Sequence, residues 1–111
     1  MRFSAIHRYA HISPHKVKGV VELIRGRHVN DALQILRGTP KRAATLVDKV
    51  LRSAMANADQ SLEADMQSLH VVEARVETGP TMRRWSFRAR GRLCPIRKRS
   101  SHISIVLDDG R

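Results

Sequence analysis

Hydrophobic positions in the first half of the chain recur with a helical period. Ser13 and Pro14 form a helix start, because a serine hydroxyl caps free N–H groups and proline suits the first helical position, where no donor is needed. Val17, Val20, Val21 and Ile24 then fall at i, i+3, i+4 and i+7, and Gly26 supplies the stop. Lys16, Lys18, Glu22 and Arg25 occupy the wet face, and Gly19 sits inside the helix at a cost of roughly 1 kcal/mol relative to alanine. Asn30 is the expected cap of a second, shorter helix, in which Ala32, Leu33 and Leu36 share a face before Gly38 ends it. Thr39 and Pro40 repeat the cap-then-proline signal and open the longest helix. Its apolar stripe runs through Ala43, Leu46, Val47, Val50, Leu51, Ala54 and Ala58, with Lys41, Arg42, Lys49 and Arg52 largely away from it. The helix gives way to a loop between Asn57 and Met66.

The period then drops to two. Val72, Ala74 and Val76 alternate with Glu73, Arg75 and Glu77, and Ile103, Ile105 and Leu107 alternate with Ser104 and Val106, which predicts strands with a buried face. Met1 to Tyr9 is a weaker strand candidate. Helices followed by strands predict an α+β fold of three helices packed on a small antiparallel sheet of about three strands. Between the two good strands the best turn signal is Gly91, near the middle, so a long antiparallel hairpin is expected. From Leu69 to Gly91 an extended arm would reach about 70 Å at roughly 3.3 Å per residue. A globule of this mass is only about 35 Å across, judging from a radius of gyration near 13 Å. The hairpin must therefore protrude. No repeat or linker divides the chain, and we read residues 1–111 as one domain with 78–102 as its extension.

Charge sharpens this picture. The 111 residues carry 21 Lys plus Arg against 10 Asp plus Glu, a net charge of +11, which favours a polyanionic partner. The 30 positions between Glu77 and Asp108 hold no acid at all, yet they hold Arg83, Arg84, Arg88, Arg90, Arg92, Arg97, Lys98 and Arg99. Elsewhere 13 bases nearly balance all 10 acids. Arginine outnumbers lysine seven to one in the extension, and a planar guanidinium can bond two phosphate oxygens or stack on a base. Trp85 and Phe87 stand among these arginines and are placed to stack on unpaired bases. A merely solvated face would mix both signs of charge. No apolar run is long enough for a membrane span and no signal peptide is legible, so cytosolic residence is expected, with no membrane partner.

Candidate chemistry is sparse. His11 and His15 are four apart but straddle the Ser13–Pro14 helix start. His7, His28, His70 and His102 lie in different elements, and the lone Cys94 cannot complete a zinc knuckle. No histidine pairing that would make Cys94 a catalytic nucleophile is visible. Asp59, Glu63 and Asp65, like Asp108 and Asp109, stand outside the basic region, where nuclease chemistry would need its metal ligands. No Gly-rich phosphate loop occurs. No catalytic residue, metal or cofactor is expected. The competing reading from another class is a DNA-binding regulator using Asn30 to Leu51 as a helix-turn-helix. Against it, the would-be recognition helix is half apolar in its first turns and the charge lies elsewhere.

The runs HISPHKVKGVVELIRGRHVNDALQIL, TPKRAATLVDKVLRSAMANA, GPTMRRWSFRARGR and KRSSHISIV resemble, in order and over essentially the whole chain, the family of bacterial-type large-subunit ribosomal protein twenty-two. The resemblance implies a small α+β body on the subunit surface and a β-hairpin threading into large-subunit ribosomal RNA, with neighbouring ribosomal proteins as further partners. Its tip, Arg90, Gly91, Arg92 and Leu93, would meet the nascent polypeptide at the wall of the exit tunnel. Together the charge and the resemblance nominate RNA-binding residues: Lys16, Lys18, Lys41 and Arg42 on the body, Arg83, Arg84, Trp85, Arg88, Arg90 and Arg92 toward the tip, and Arg97, Lys98, Arg99 and His102 on the returning strand. Gly79, Pro80, Thr81, Met82, Ser101 and Ile103 match the hairpin's bases. Three departures are visible: His15 replaces the arginine of the family's Ser-Pro-Arg-Lys-Val start, Phe87 stands where proline is common, and Leu93-Cys94-Pro95 replaces a more polar stretch.

Overall fold

The computed structural model describes residues 1–61, 64–87 and 89–110. Strand β1 (Arg2–Ala10) is followed by helices α1 (Pro14–Ile24), α2 (Val29–Gly38) and α3 (Arg42–Asp59). Strands β2 (His70–Thr78), β3 (Met82–Phe87), β4 (Leu93–Lys98) and β5 (Ser101–Asp108) complete the fold. The α+β expectation holds. An antiparallel sheet of order β1-β5-β2 carries the three helices on one face, with α1 over β2 and α3 over β1 and β5. Among the described residues β3 and β4 pair only with each other, as the outer part of the hairpin.

The core forms where the two periodicities meet. The full α1 stripe is buried, as are Ala43, Val47, Val50, Leu51, Ala54 and Ala58 of α3, against Ile103, Ile105 and Leu107. Ala44 joins them, while Leu46 is only partly buried. The alanines let α3 lie close to the sheet. In β2 the inward residues are Val71 and Ala74 rather than Val72 and Ala74. A bulge between Val71 and Glu73 inserts Val72 as an extra residue, and one extra residue reverses which side chains face in.

Two of the three expected helix caps are displaced. α2 begins one residue before Asn30, and His28 is its cap, with Nδ1 accepting from the Asn30 N–H at 3.2 Å. The His28 Nε2 then carries the proton and donates to the Gln67 carbonyl at 2.6 Å. Thr39 closes α2 instead of opening α3, its hydroxyl donating to the Ile35 carbonyl at 2.8 Å. α3 starts after Lys41, so Pro40 precedes the helix. Ser13 does hold the cap position of α1, but its hydroxyl makes no capping bond.

The loop joining α1 to α2 seals the outer edge of β2. Gly26 N–H donates to the Val71 carbonyl at 2.9 Å, Val71 N–H to Arg27 at 2.8 Å, and the Arg25 Nε to Ala74 at 2.9 Å. A sheet edge covered in this way is protected from pairing with other chains. The molecule measures 63 × 25 × 17 Å with a radius of gyration of 17.0 Å, well above the roughly 13 Å of a compact chain this long. The excess length is the hairpin.

Candidate nucleic-acid interface

Arm, arm root and body each contribute cations. In the arm, Met82 pairs with Lys98, Arg83 with Arg97, and Trp85 with Pro95, as far as Phe87 with Leu93. Paired residues point to the same side, so Arg83, Trp85 and Arg97 share one face of the ribbon, and Arg84 and Lys98 the other. Arg83 directly opposite Arg97 is a repulsive pair in water, relieved when an anion lies between them. Trp85 is 66% exposed, with an open ring in a row of guanidinium groups. At the tip, Arg90 (φ 64°) and Gly91 (φ 73°) are consecutive left-handed residues that reverse the chain. Glycine adopts that conformation freely. Arg90, Gly91, Arg92 and Leu93 are all exposed. Arg88 lies outside the described residues.

On the body, Lys16 and Lys18 project from α1, and Lys41 and Arg42 stand at the start of α3, all exposed. Folding brings Lys16 and Arg42 to the root of the arm. A hollow of about 610 Å³ has Lys16 and Arg42 on one side and Arg97, Lys98 and Arg99 on the other. A second, of about 730 Å³, joins His15, Lys16, Lys18, Lys41 and Arg42, with Glu22 among its lining residues. A third, of about 460 Å³, collects His15, Arg83, Arg97 and Arg99. Neither α1 nor α3 has a side-chain cap or an acid in its first turn, so their free N–H groups add positive potential beside Lys16, Lys41 and Arg42.

Among the described residues, the side-chain ion pairs lie elsewhere: Arg52–Asp48 at 3.0 Å, Arg75–Glu73 at 3.5 Å and Arg2–Asp108 at 3.7 Å. No described cation of the arm or its root is matched with a carboxylate. Arg84 instead turns back on the backbone, Nη1 donating to the Arg83 carbonyl at 3.1 Å. His102 is half-buried in the central strand. Its Nδ1 accepts from the Tyr9 N–H at 3.0 Å, leaving Nε2 to present a proton outward. Tyr9, at the end of the weaker strand candidate, is a surface aromatic at the arm root. Nothing local marks it, because its exposure comes from a bulge in strand pairing.

Among the described residues no group of His, Cys, Asp and Glu is placed to hold a metal ion, and no helix is long and apolar enough to cross a membrane. Glu63, of the acid group noted above, lies outside the described residues. A small α+β body whose cations gather, unneutralised, along a protruding arm and at its root has the build of a structural protein that sits on a polyanion.

Comparison with known proteins narrows that class. The family model described as ribosomal protein L22p/L17e matches residues 5–108. The large ribosomal subunit protein uL22 of Pelotomaculum thermopropionicum is 50% identical over 109 residues, covering 98% of this chain and 96% of its own length. Its counterpart in Thermoanaerobacter sp. (strain X514) is 51% identical, covering 98% of each chain. That of Desulfitobacterium hafniense is 54% identical over 103 residues, covering 93% and 90%. The chain belongs to the ribosomal protein L22p/L17e family, in its bacterial type. It is a structural constituent of the large ribosomal subunit, hence cytoplasmic, and not an enzyme.

Proposed function

We propose that the chain binds and organises large-subunit ribosomal RNA during assembly, with residues 78–102 as the RNA-binding arm of a single domain and its tip at the nascent-peptide exit tunnel. The observation that carries this reading is the shared hollow in which Lys16 and Arg42 of the body meet Arg97, Lys98 and Arg99 of the arm with no acid among its described lining residues. Counter-anions must neutralise that cluster, and phosphates do so while fixing the arm's direction relative to the body. Lys18, Lys41, Arg83, Arg84, Trp85, Arg88 and His102 extend the same contact, the arginines by bidentate bonds and Trp85 by stacking. Neighbouring ribosomal proteins take the rest of the surface. At the tip, Arg90, Gly91, Arg92 and Leu93 meet the nascent polypeptide.

A crosslinking map of large subunits tests the RNA half of the proposal: residues 83–99 should join to ribosomal RNA, and crosslinks only to protein would refute it. Deleting residues 90–93 tests the tunnel half. Arg83, Arg84, Arg97, Lys98 and Arg99 remain to anchor the arm, so incorporation into subunits should survive while stalling of nascent chains changes. Loss of incorporation, or unchanged stalling in a fully incorporated variant, would remove the tunnel role.

A further inference from the structure

We infer that the hollow at the arm root receives one unpaired nucleotide of RNA, its base stacked on Tyr9 and its phosphate held by the surrounding cations. This rests on the RNA-binding reading above and assigns it a subsite. At about 610 Å³ the hollow falls within the roughly 300–1,000 Å³ of pockets that enclose small ligands. It admits a single nucleotide but not a double helix.

Its lining has the two-part chemistry of a nucleotide. Tyr9, Ile12, Pro80 and Met82 supply an aromatic and apolar surface, and Lys16, Arg42, Arg97, Lys98 and Arg99 supply positive charge, with no carboxylate among the described lining residues. A phosphate alone would need only the cations, and an apolar peptide only the floor. An acidic peptide would meet the cations but gain little from a flat ring. A base with its phosphate uses both.

Tyr9 is specially prepared for the role. In the regular register of β1 and β5, His7 pairs with Ile103, which would place Tyr9 opposite Ser101 on the helix-covered face. A bulge instead gives that partner to Ala10, which is 1% exposed, and turns Tyr9 out, 58% exposed. Tyr9 holds φ at 60° to do so, a left-handed conformation that a bulky side chain resists. Such strain persists where surrounding contacts enforce it and gathers at functional positions. Here the enforcing contacts come from His102: its Nδ1 accepts the Tyr9 N–H at 3.0 Å, and the two rings meet edge to face with centroids 4.9 Å apart at 87°. Whichever ring offers its edge, His102 covers at most one face of the tyrosine, which stays 58% exposed. An aromatic fixed before its ligand arrives loses little freedom on stacking.

The test uses the full chain and an in vitro transcript of bacterial large-subunit ribosomal RNA at one salt concentration. Tyr9→Phe should bind within about twofold of wild type, whereas Tyr9→Leu should bind about 5- to 150-fold more weakly, as for loss of one base stack. The salt dependence should not change, because no cation is removed. Circular dichroism of Tyr9→Leu checks the fold. If that variant unfolds, ultraviolet crosslinking of the wild-type chain decides by itself: the peptide bearing Tyr9 should join to an unpaired nucleotide. A folded Tyr9→Leu with wild-type affinity, or crosslinks from Tyr9 only to paired nucleotides, would overturn the subsite while leaving RNA binding intact. In assembled subunits, crosslinks from Tyr9 only to a neighbouring protein would do the same. Failure of the wild-type chain to bind the transcript would instead overturn the parent reading and the subsite together.

Discussion

Asp108, at the end of β5, shows how one carboxylate records its surroundings. Its Oδ1 accepts the Gly110 N–H at 2.8 Å, and this bond is the main reason its carboxyl is held below the usual range. Desolvation opposes that effect, the Met1 amino group and Arg2 reinforce it, and Asp109 opposes it again. A carboxyl whose folded pKa is depressed adds stability above its unfolded pKa, about 3.9, and loses it as pH falls through the lower folded value. The Asp108 carboxyl should therefore titrate below about 3.9 when followed by carbon NMR. Asp108→Asn should melt lower than wild type at neutral pH, with the gap closing below about pH 4. A gap that persists in strong acid would mean the side chain acts by packing.

The elements meet at a junction that fixes the arm's direction. Where β2 passes into β3 and β4 into β5, Gly79 N–H donates to the Ser100 carbonyl at 3.0 Å and the Ser100 hydroxyl to Pro80 at 2.6 Å. The next residue, Ser101, is fully buried, and its hydroxyl donates to the Ile12 carbonyl at 2.6 Å, tying the returning strand to the segment before α1. Gly79 has no room for a side chain, since a Cβ would stand 2.6 Å from Ser100 Oγ and 3.3 Å from its backbone. Gly79→Ala should cost about 1–3 kcal/mol by overpacking and speed amide exchange at Ser100 and Ser101. Adding Ser100→Ala should recover part of the loss by removing the nearest clashing atom. Thermal unfolding of the single and double variants measures both effects, and additive destabilisation would show that the clash is not the cause.

Across the whole molecule, the 63 Å length and the one-signed arm set how the proposed RNA binding should respond to salt. The extension carries eight cations. With about seven on phosphates, the slope of log K against log salt should be near −5 to −6, at roughly 0.7 to 0.9 per contact. Filter binding to the ribosomal RNA transcript across a salt series gives the slope. A value near −1 would exclude the arm as the main electrostatic contact. Arg83→Gln with Arg97→Gln should reduce the slope by about 1.4 to 1.8 if both face phosphates, and also relieve the cross-strand repulsion in the free protein.

Periodicity and charge are local properties of a chain, and they determined much of this protein. The stripe Val17, Val20, Val21 and Ile24, the alternation of Ile103, Ile105 and Leu107, and the acid-free run from 78 to 107 required helix, strand and cationic arm wherever they packed. The length between strand and turn required the arm to protrude. Tertiary structure decided what depends on two segments at once. His28 caps α2 because Gln67, far along the chain, is there to hold its other nitrogen. Val72 and Tyr9 leave the inward faces of their strands because pairing with β5 slips by a residue, and a slip in register is a property of the pair. Lys16 and Arg42 share a hollow with Arg97 because the sheet brings the arm root beside α1 and α3. Side-chain hydrogen bonds, strand register and clustered charge are fixed by distance in space, which residue order leaves open until the core closes.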